Sequence, residues 1–474
     1  MSSPRPNTVE SPESAAALRR VLLLMILLNA FATPLMLSSA NVALPSIARD
    51  LGLDAVILAW VPMAYLMAST IFVLIFGRIA DTVGRKRIFL IGTAAVIVSS
   101  IYAAMSVNGT MLLSARFLQG VSAAMLYATQ MALVTSAFPA KVRGKMIGLV
   151  VSCIYIGLSA GPLLGGYVID AVGWRAAFLL QVPLALVVLL LGVLKVKGEW
   201  RGQGHVPFDL PGATGWGISI VLFCLGVSRL PDVTGLLILA ASAISITLFL
   251  RHARRSPHPI WDVTLFFNNR LFTASSLVSL LMYSATYAIV VLMSLYLQTL
   301  QGLSATSAGM VLMIQPVIMA LLAPVTGRLS DWVEPRILAT MGITITTIGL
   351  FLLSRLDADS SLQYVIASLV MTGSGFSLFS PPNVNAIMGS VSDKHAGSAS
   401  GAVATTRLIG QLNSMVLVTL ALALMMGNTP ISPETYPQLA RAVELSFSIG
   451  VALCVPAIVL SLLRGRIHTP HSGA

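Results

Sequence analysis

Gly77-Arg78-Ile79-Ala80-Asp81-Thr82-Val83-Gly84-Arg85-Lys86-Arg87 is a charged stretch between two apolar runs, 57–78 and 88–106. Its first five residues return as Gly327-Arg328-Leu329-Ser330-Asp331, again at the end of an apolar run, 306–326. Gly144, Gly148 and Gly157 return at nearly the same offset, as Gly397, Gly401 and Gly410. Two sets of matches in step describe a chain of two like halves. Parallel halves about an axis along the membrane normal are a transporter architecture, with the substrate site between them near the midplane.

The rest of the chain fits that frame. Of 474 residues, 56% are hydrophobic and 10% charged, with a mean hydropathy of +0.88. A soluble chain could not hide so much apolar surface, whereas lipid solvates it directly. A span needs about 20 mostly apolar residues to cross roughly 30 Å of hydrocarbon. On that ruler fourteen are expected. The first eight fall at 21–44, 57–78, 88–106, 111–138, 145–168, 176–194, 212–229 and 233–251. The last six fall at 272–297, 306–326, 337–355, 362–388, 398–426 and 441–463. The repeat assigns six spans to each half and leaves the seventh and eighth as an inserted pair. The expected organisation is a tail at 1–17, a first bundle at 18–198, a linker with two inserted spans at 199–270, a second bundle at 271–464 and a tail at 465–474.

Charge tests the count independently. With the N-terminus inside, the inner segments collect most of the 29 Lys and Arg, while the outer ones keep Arg49, Arg175, Arg229, Arg355 and Arg441. Cytoplasmic loops accumulate cations in this way. The expectation is a multi-pass protein of the cell (inner) membrane with both termini cytoplasmic. The net charge of +12 therefore reflects topology and not a nucleic-acid partner. Cys153, Cys224 and Cys454 all lie in apolar runs, which argues against disulfides and a Cys-rich metal site. The six histidines fall in loops or tails, none placed as an intramembrane relay.

Five motifs in order resemble the major facilitator superfamily, and within it the fourteen-span drug:proton antiporters. They are the loop Gly77–Arg87, Arg116-Phe-Leu-Gln119-Gly120, and Gly157-Leu-Ser-Ala-Gly161-Pro162-Leu-Leu-Gly165-Gly166. Asn41-Val-Ala-Leu-Pro45 and Trp174-Arg175 with Phe178 and Pro183 complete the pattern. The resemblance covers all fourteen spans. It implies an all-α facilitator fold of two six-helix bundles plus two inserted helices. It also implies proton-coupled export of small amphipathic compounds by alternating access. A facilitator or symporter that takes up an organic acid or other metabolite is the alternative. A non-transporting receptor or scaffold is a third reading, from another class.

Each motif also has a physical reading. Asp81 and Arg85 close the ends of two adjacent helices around a tight turn at Gly84, and a carboxylate there suits the positive end of another helix. The resemblance implies a cytoplasmic latch of Gly77, Asp81, Gly84, Arg85, Lys86 and Asp331, with Asp81 facing the start of span 13 near 398–400. Gly157, Gly161, Gly165 and Gly166 let a helix backbone approach closely, and Pro162 removes one ladder bond. The resemblance makes this span a gate, with span 10 and its Pro316 and Pro324 as partner.

Arg116 lies at hydrocarbon depth, where a charge is costly and faces a cavity or a partner. In the resembling family an acid on span 1 sits near it; here Met36 occupies that place. Arg407 is the second cation within a span, and Glu444 is the nearest candidate acid. Two arginines without an intramembrane acid bias the path towards anionic, zwitterionic or neutral substrates. Asn29, Asn41, Tyr127, Gln130, Tyr155, Gln315, Asn383, Asn385 and Gln411, with Met36, are the candidates for lining it. Polar side chains inside membrane helices also bond neighbouring helices. Neither an ATP-binding run nor a nucleophile or metal constellation is visible, so no enzyme, cofactor or metal is expected. The expected partners are a small-molecule substrate, protons and lipid, with the monomer as the working unit.

Overall fold

The computed structural model describes residues 12–202, 207–330, 332–357, 359–391, 396–427 and 429–465. Fourteen helices among them are long and apolar enough to cross a membrane. Spans 1 to 7 are Ala17–Val42, Ala55–Val83, Arg85–Ala104, Gly109–Ala137, Val142–Val172, Trp174–Leu194 and Leu210–Ser228. Spans 8 to 14 are Val233–Arg255, Arg270–Leu300, Ala305–Leu329, Pro335–Leu353, Leu362–Gly389, Ala399–Met426 and Pro433–Leu463. With fourteen spans, Pro12 and Gly465 lie at one end of the bundle, called the terminal end; the other is the far end.

Two boundaries differ from expectation for local reasons. The first helix already begins at Pro12, inside the stretch read as a tail. Proline suits a first helical turn, and the following alanines are the best helix formers. Span 2 continues past Arg78 to Val83, where Gly84 at φ 128° ends it and starts span 3. Starts are marked by caps: Asp54 accepts from the Ile57 amide (2.8 Å), Asn108 from Met111 (2.8 Å) and Asn269 from Phe272 (3.0 Å). Each satisfies an amide that would otherwise lack a partner in the first turn.

The repeat is visible in the packing. In the first bundle span 1 lies on 5, span 2 on 4, and span 3 on 4 and 6; in the second, 9 lies on 13, 10 on 12, and 11 on 12 and 14. Spans 7 and 8 pack on one another, and span 7 rests on spans 2 and 13. Trp216 anchors the pair by donating its ring N–H to the Thr70 carbonyl (3.1 Å). At the terminal end Asp209 accepts from His252 (2.7 Å) and from the Gly212 and Ile260 amides (3.0 and 3.1 Å). His252, expected in a loop, is thus part of the last turn of span 8 and tied to span 7. Burial alone would raise the Asp209 carboxyl, but these hydrogen bonds hold it below the usual carboxylate range.

The halves meet at the far end. The Ala55 amide donates to the Thr429 carbonyl (3.2 Å), Asp54 and Pro430 form a β-bridge, and Gln298 donates to the Val42 carbonyl (2.9 Å). Towards the terminal end, Gly77, Gly144, Gly148 and Gly401 have open space where a Cβ would stand. The hydrogen bonds between the halves thus lie at the far end, while these glycine faces towards the terminal end stand free.

Candidate functional site

Arg116 and Arg407 stand in different surroundings. Arg116, on span 4, is fully buried. Its Nε donates to the Val61 carbonyl (3.1 Å) and its Nη1 to Gln119 (2.9 Å), with the Met36 sulfur 3.6 Å away. The guanidinium also lies 4.7 Å from the Tyr65 ring centre and 5.8 Å from that of Phe178. Gln119 and Gln181 both donate to Ser100 (3.1 and 2.8 Å), which fixes the support. The charge is therefore solvated by neutral acceptors and aromatic faces, and Met36 does stand against it.

Arg407, on span 13, is only half-buried, and its guanidinium has no hydrogen-bond partner among the described residues. Its neighbour is the Tyr283 ring, 5.7 Å away, and Tyr127, Tyr155 and Tyr287 lie within electrostatic reach. These tyrosines come from spans 4, 5 and 9, so Arg407 is surrounded by both halves while remaining half-exposed. That combination defines a cleft wall. Leu408, next in sequence, packs with Val73 and Ala124 of the first half. Tyr127 pairs its hydroxyl with Tyr65 (2.9 Å), linking this wall to the Arg116 pocket. Asn41 lies beside the Tyr287 hydroxyl.

The other polar candidates divide sharply. Asn29 donates to Gln130 (2.7 Å) inside the first bundle. Asn383 donates to Ser279 (2.8 Å) and the Ser275 carbonyl (3.0 Å) and accepts from Arg464. Asn385 donates to Ser330 (2.7 Å). These bonds hold helices together; Asn29, Gln130 and Asn383 are buried, whereas Asn385 is exposed. Gln315 and Gln411 are buried, with no hydrogen bond among the described residues. Glu444, expected as a buried charge, is exposed. It shares its helix face with exposed Val455, Val459 and Leu462, so span 14 turns it away from the cleft.

The glycines of span 5 serve two interfaces. A Cβ on Gly161 would lie 2.6 Å from the Ser38 Cβ, and one on Gly165 2.6 Å from the Ser39 Cβ; Gly157 abuts the Phe31 carbonyl. Those three pack on span 1, in the same half. Gly166 abuts Ala305, and Gly309 abuts the Pro162 carbonyl, so this turn of span 5 meets span 10 of the other half. The closest approach is at Ala305, Thr306 and Gly309, and the later part of span 10, Ile314–Leu329, which holds Pro316 and Pro324, packs on span 5 as well. Asp170 completes it by accepting from the Ala305 and Thr306 amides (3.2 and 2.8 Å) and the Thr306 hydroxyl (2.6 Å). A carboxylate on the free amides of a helix start is favourable through both hydrogen bonds and dipole.

At the terminal end, Arg85 pairs with Asp81 (2.8 Å) and also bonds Ser136. A segment following span 6 docks on this loop: the Arg85 amide donates to the Trp200 carbonyl (2.7 Å), and the Gly202 amide to the Asp81 carbonyl (2.9 Å). Glu199 accepts from the Lys86 and Arg87 amides (2.8 and 3.1 Å), and Lys86 Nζ reaches the Val196 carbonyl. Among the described residues Asp81 pairs with Arg85 and the linker, and Glu199 takes the start of span 3; the side chains of 392–398, next to the expected Asp81 contact, lie outside them. Gly84 is required by its positive φ and because a Cβ there would meet Glu199. Asp331 lies outside the described residues.

The model of the Major Facilitator Superfamily matches residues 26–415. The chain belongs to that superfamily. Among relatives of this facilitator is the riboflavin transporter RibZ of Clostridioides difficile, 32% identical over 82% of this chain and 84% of that protein. The multidrug efflux pump LfrA of Mycolicibacterium smegmatis is 28% identical over 97% of this chain and 91% of its own length. Of solved structures, a bacterial homologue of the human lysosomal transporter Spinster superposes with a TM-score of 0.68 at 16% identity. It covers 96% of this chain and 98% of that one. This facilitator is therefore a multi-pass secondary transporter of a small molecule and not an enzyme. Tyr65, Tyr283, Tyr287, Asp170 and Glu199 were not singled out by sequence. Tyr283 and Tyr287 sit one helical turn apart, a spacing that marks a shared face.

Proposed function

We propose that this facilitator exports small amphipathic molecules by alternating access, drawing on the proton gradient. The observation that supports it best is the cleft around Arg407, open towards the terminal end and sealed at the far end by Gly166, Gly309 and Asp170. The basic clusters favour a cytoplasmic terminal end, and on that reading this is the inward-facing state. Spans 1–6 and 9–14 rock as two bodies, and the inserted pair travels with them. When the terminal end closes, the open faces at Gly144, Gly148 and Gly401 become contact surface, and the loop at Asp81 is rearranged to latch it. One charge crossing 100 mV is worth about 2.3 kcal/mol, an adequate drive. The efflux function in the name of LfrA agrees with this direction.

Met36 beside Arg116 favours a second reading, uncoupled or substrate-coupled transport, because no acid shares that pocket among the described residues. Everted membrane vesicles separate the two. Fluorescent amphipathic compounds accumulate in vesicles energised with an inward-acid gradient and leak out when it is collapsed, if export is proton-driven. Equilibration that ignores the gradient contradicts the first reading and supports the second.

A further inference from the structure

We infer that the cleft binds planar aromatic monoanions, anchored by Arg407 and stacked between its tyrosines. The inference rests on the reading of this cleft as the substrate site and names what enters it. Arg407 is a partly exposed guanidinium in the terminal-end half of span 13, without an acceptor among the described residues. Such a group is costly inside a membrane protein unless neutral acceptors, water or an anion complete it, and the neutral acceptors that serve Arg116 have no counterpart here among the described residues. A guanidinium offers paired donors that match a carboxylate in two parallel bonds.

The acids that could have neutralised it are engaged or turned away. Asp81 holds Arg85, Asp170 holds the start of span 10, Asp209 holds His252, Glu199 holds the start of span 3, and Glu444 faces outward. Asp50, in the far-end loop, is paired with Arg175 (2.8 Å) and bonded by Trp174, which keep its carboxyl below the usual range. A cationic guest would meet Arg407 directly, and Arg116 behind it, with no counter-charge beside them among the described residues. The walls specify the rest of the guest. The Tyr283 ring lies 5.7 Å from the Arg407 guanidinium, and Tyr127, Tyr155 and Tyr287, partly buried like it, stand within electrostatic reach from spans 4, 5 and 9. Offset or edge-on aromatic contacts favour a flat ring system over a branched aliphatic one. Arg116 is the poorer anchor, because it is fully buried and its Nε and Nη1 already donate to Val61 and Gln119.

The test uses the purified full chain in lipid nanodiscs and three matched probes: 2-naphthoate, 2-naphthalenemethanol and 2-naphthylmethylammonium. Binding is followed by fluorescence anisotropy of the naphthalene ring. Naphthoate is expected to bind about tenfold or more tighter than the alcohol, and the ammonium compound not to saturate. Arg407→Gln brings naphthoate to the level of the alcohol and leaves the alcohol unchanged, which also shows that the variant is folded. Arg407→Lys retains part of the preference, and Tyr283→Ala weakens naphthoate and the alcohol alike. The inference is overturned if naphthoate does not bind saturably, if the ammonium compound binds as tightly, or if Arg407→Gln leaves naphthoate binding intact. Its failure is separable from that of the export reading. Naphthoate that binds as described but is not moved by a proton gradient sinks only the export reading. A driven compound that ignores Arg407→Gln sinks only this inference.

Discussion

Arg116 is held by Val61, Gln119, Tyr65 and Met36, so its removal leaves a void and unpaired acceptors in the first bundle. Arg116→Ala is expected to lower stability by about 3 kcal/mol, read as an earlier thermal unfolding midpoint in detergent. Arg407→Ala, which breaks no hydrogen bond among the described residues, is expected to stay within about 1 kcal/mol of the parent. Equal losses for the two would contradict the contrast drawn between them. The sequence marks both residues as lone cations in spans, and it also marks the missing acid at Met36. It does not say which guanidinium has partners, because the Val61 carbonyl, and Ser100 and Gln181 that support Gln119, come from other helices. Glu444 fails for a related reason: a one-dimensional reading sets its depth but not the rotation of span 14.

At the scale of elements, span 5 presents one glycine face to span 1 and a second, at Gly166, to span 10. Gly166→Val obstructs the close approach at Ala305 and is expected to bias the molecule away from far-end closure. Cysteine labelling of far-end positions from the outside then rises; unchanged labelling argues against a gate at this turn. Gly148→Leu, in open space now, is expected to leave this state undisturbed and to hinder closure of the terminal end, read as transport loss without a stability change. The inserted pair offers a pH test. Asp209 has a lowered pKa, so the stability that it contributes is present above the unfolded value of about 3.9 and is lost as pH falls through the folded value. Asp209→Asn is therefore expected to cost about 1–2 kcal/mol evenly from pH 7 down to about 4, with the difference shrinking below that. A difference that vanishes near pH 6 would assign the effect to another group. The spans themselves were legible, since length and apolarity suffice to define them. The docking of 199–202 on the loop at Asp81 was not, because a short polar segment carries no periodicity to announce its partner.

For the whole molecule, two like bundles make the same pairings, and the contacts between them gather at one end. An even number of spans and the basic loops together give both termini a common side, and the halves were readable because their glycines repeat in step. Which end is shut was not readable, since the same sequence must support both states of a transporter. The central claim is that the far end has to open in each cycle, and Asp170 with Thr306 is where that is most directly tested. In a background with Cys153, Cys224 and Cys454 replaced by serine, Asp170→Cys and Thr306→Cys are introduced together and bridged by a short thiol cross-linker. Transport in everted vesicles is then measured before bridging, after it, and after reduction. The account predicts that bridging abolishes transport and reduction restores it; a bridged protein that transports at the unbridged rate would contradict it.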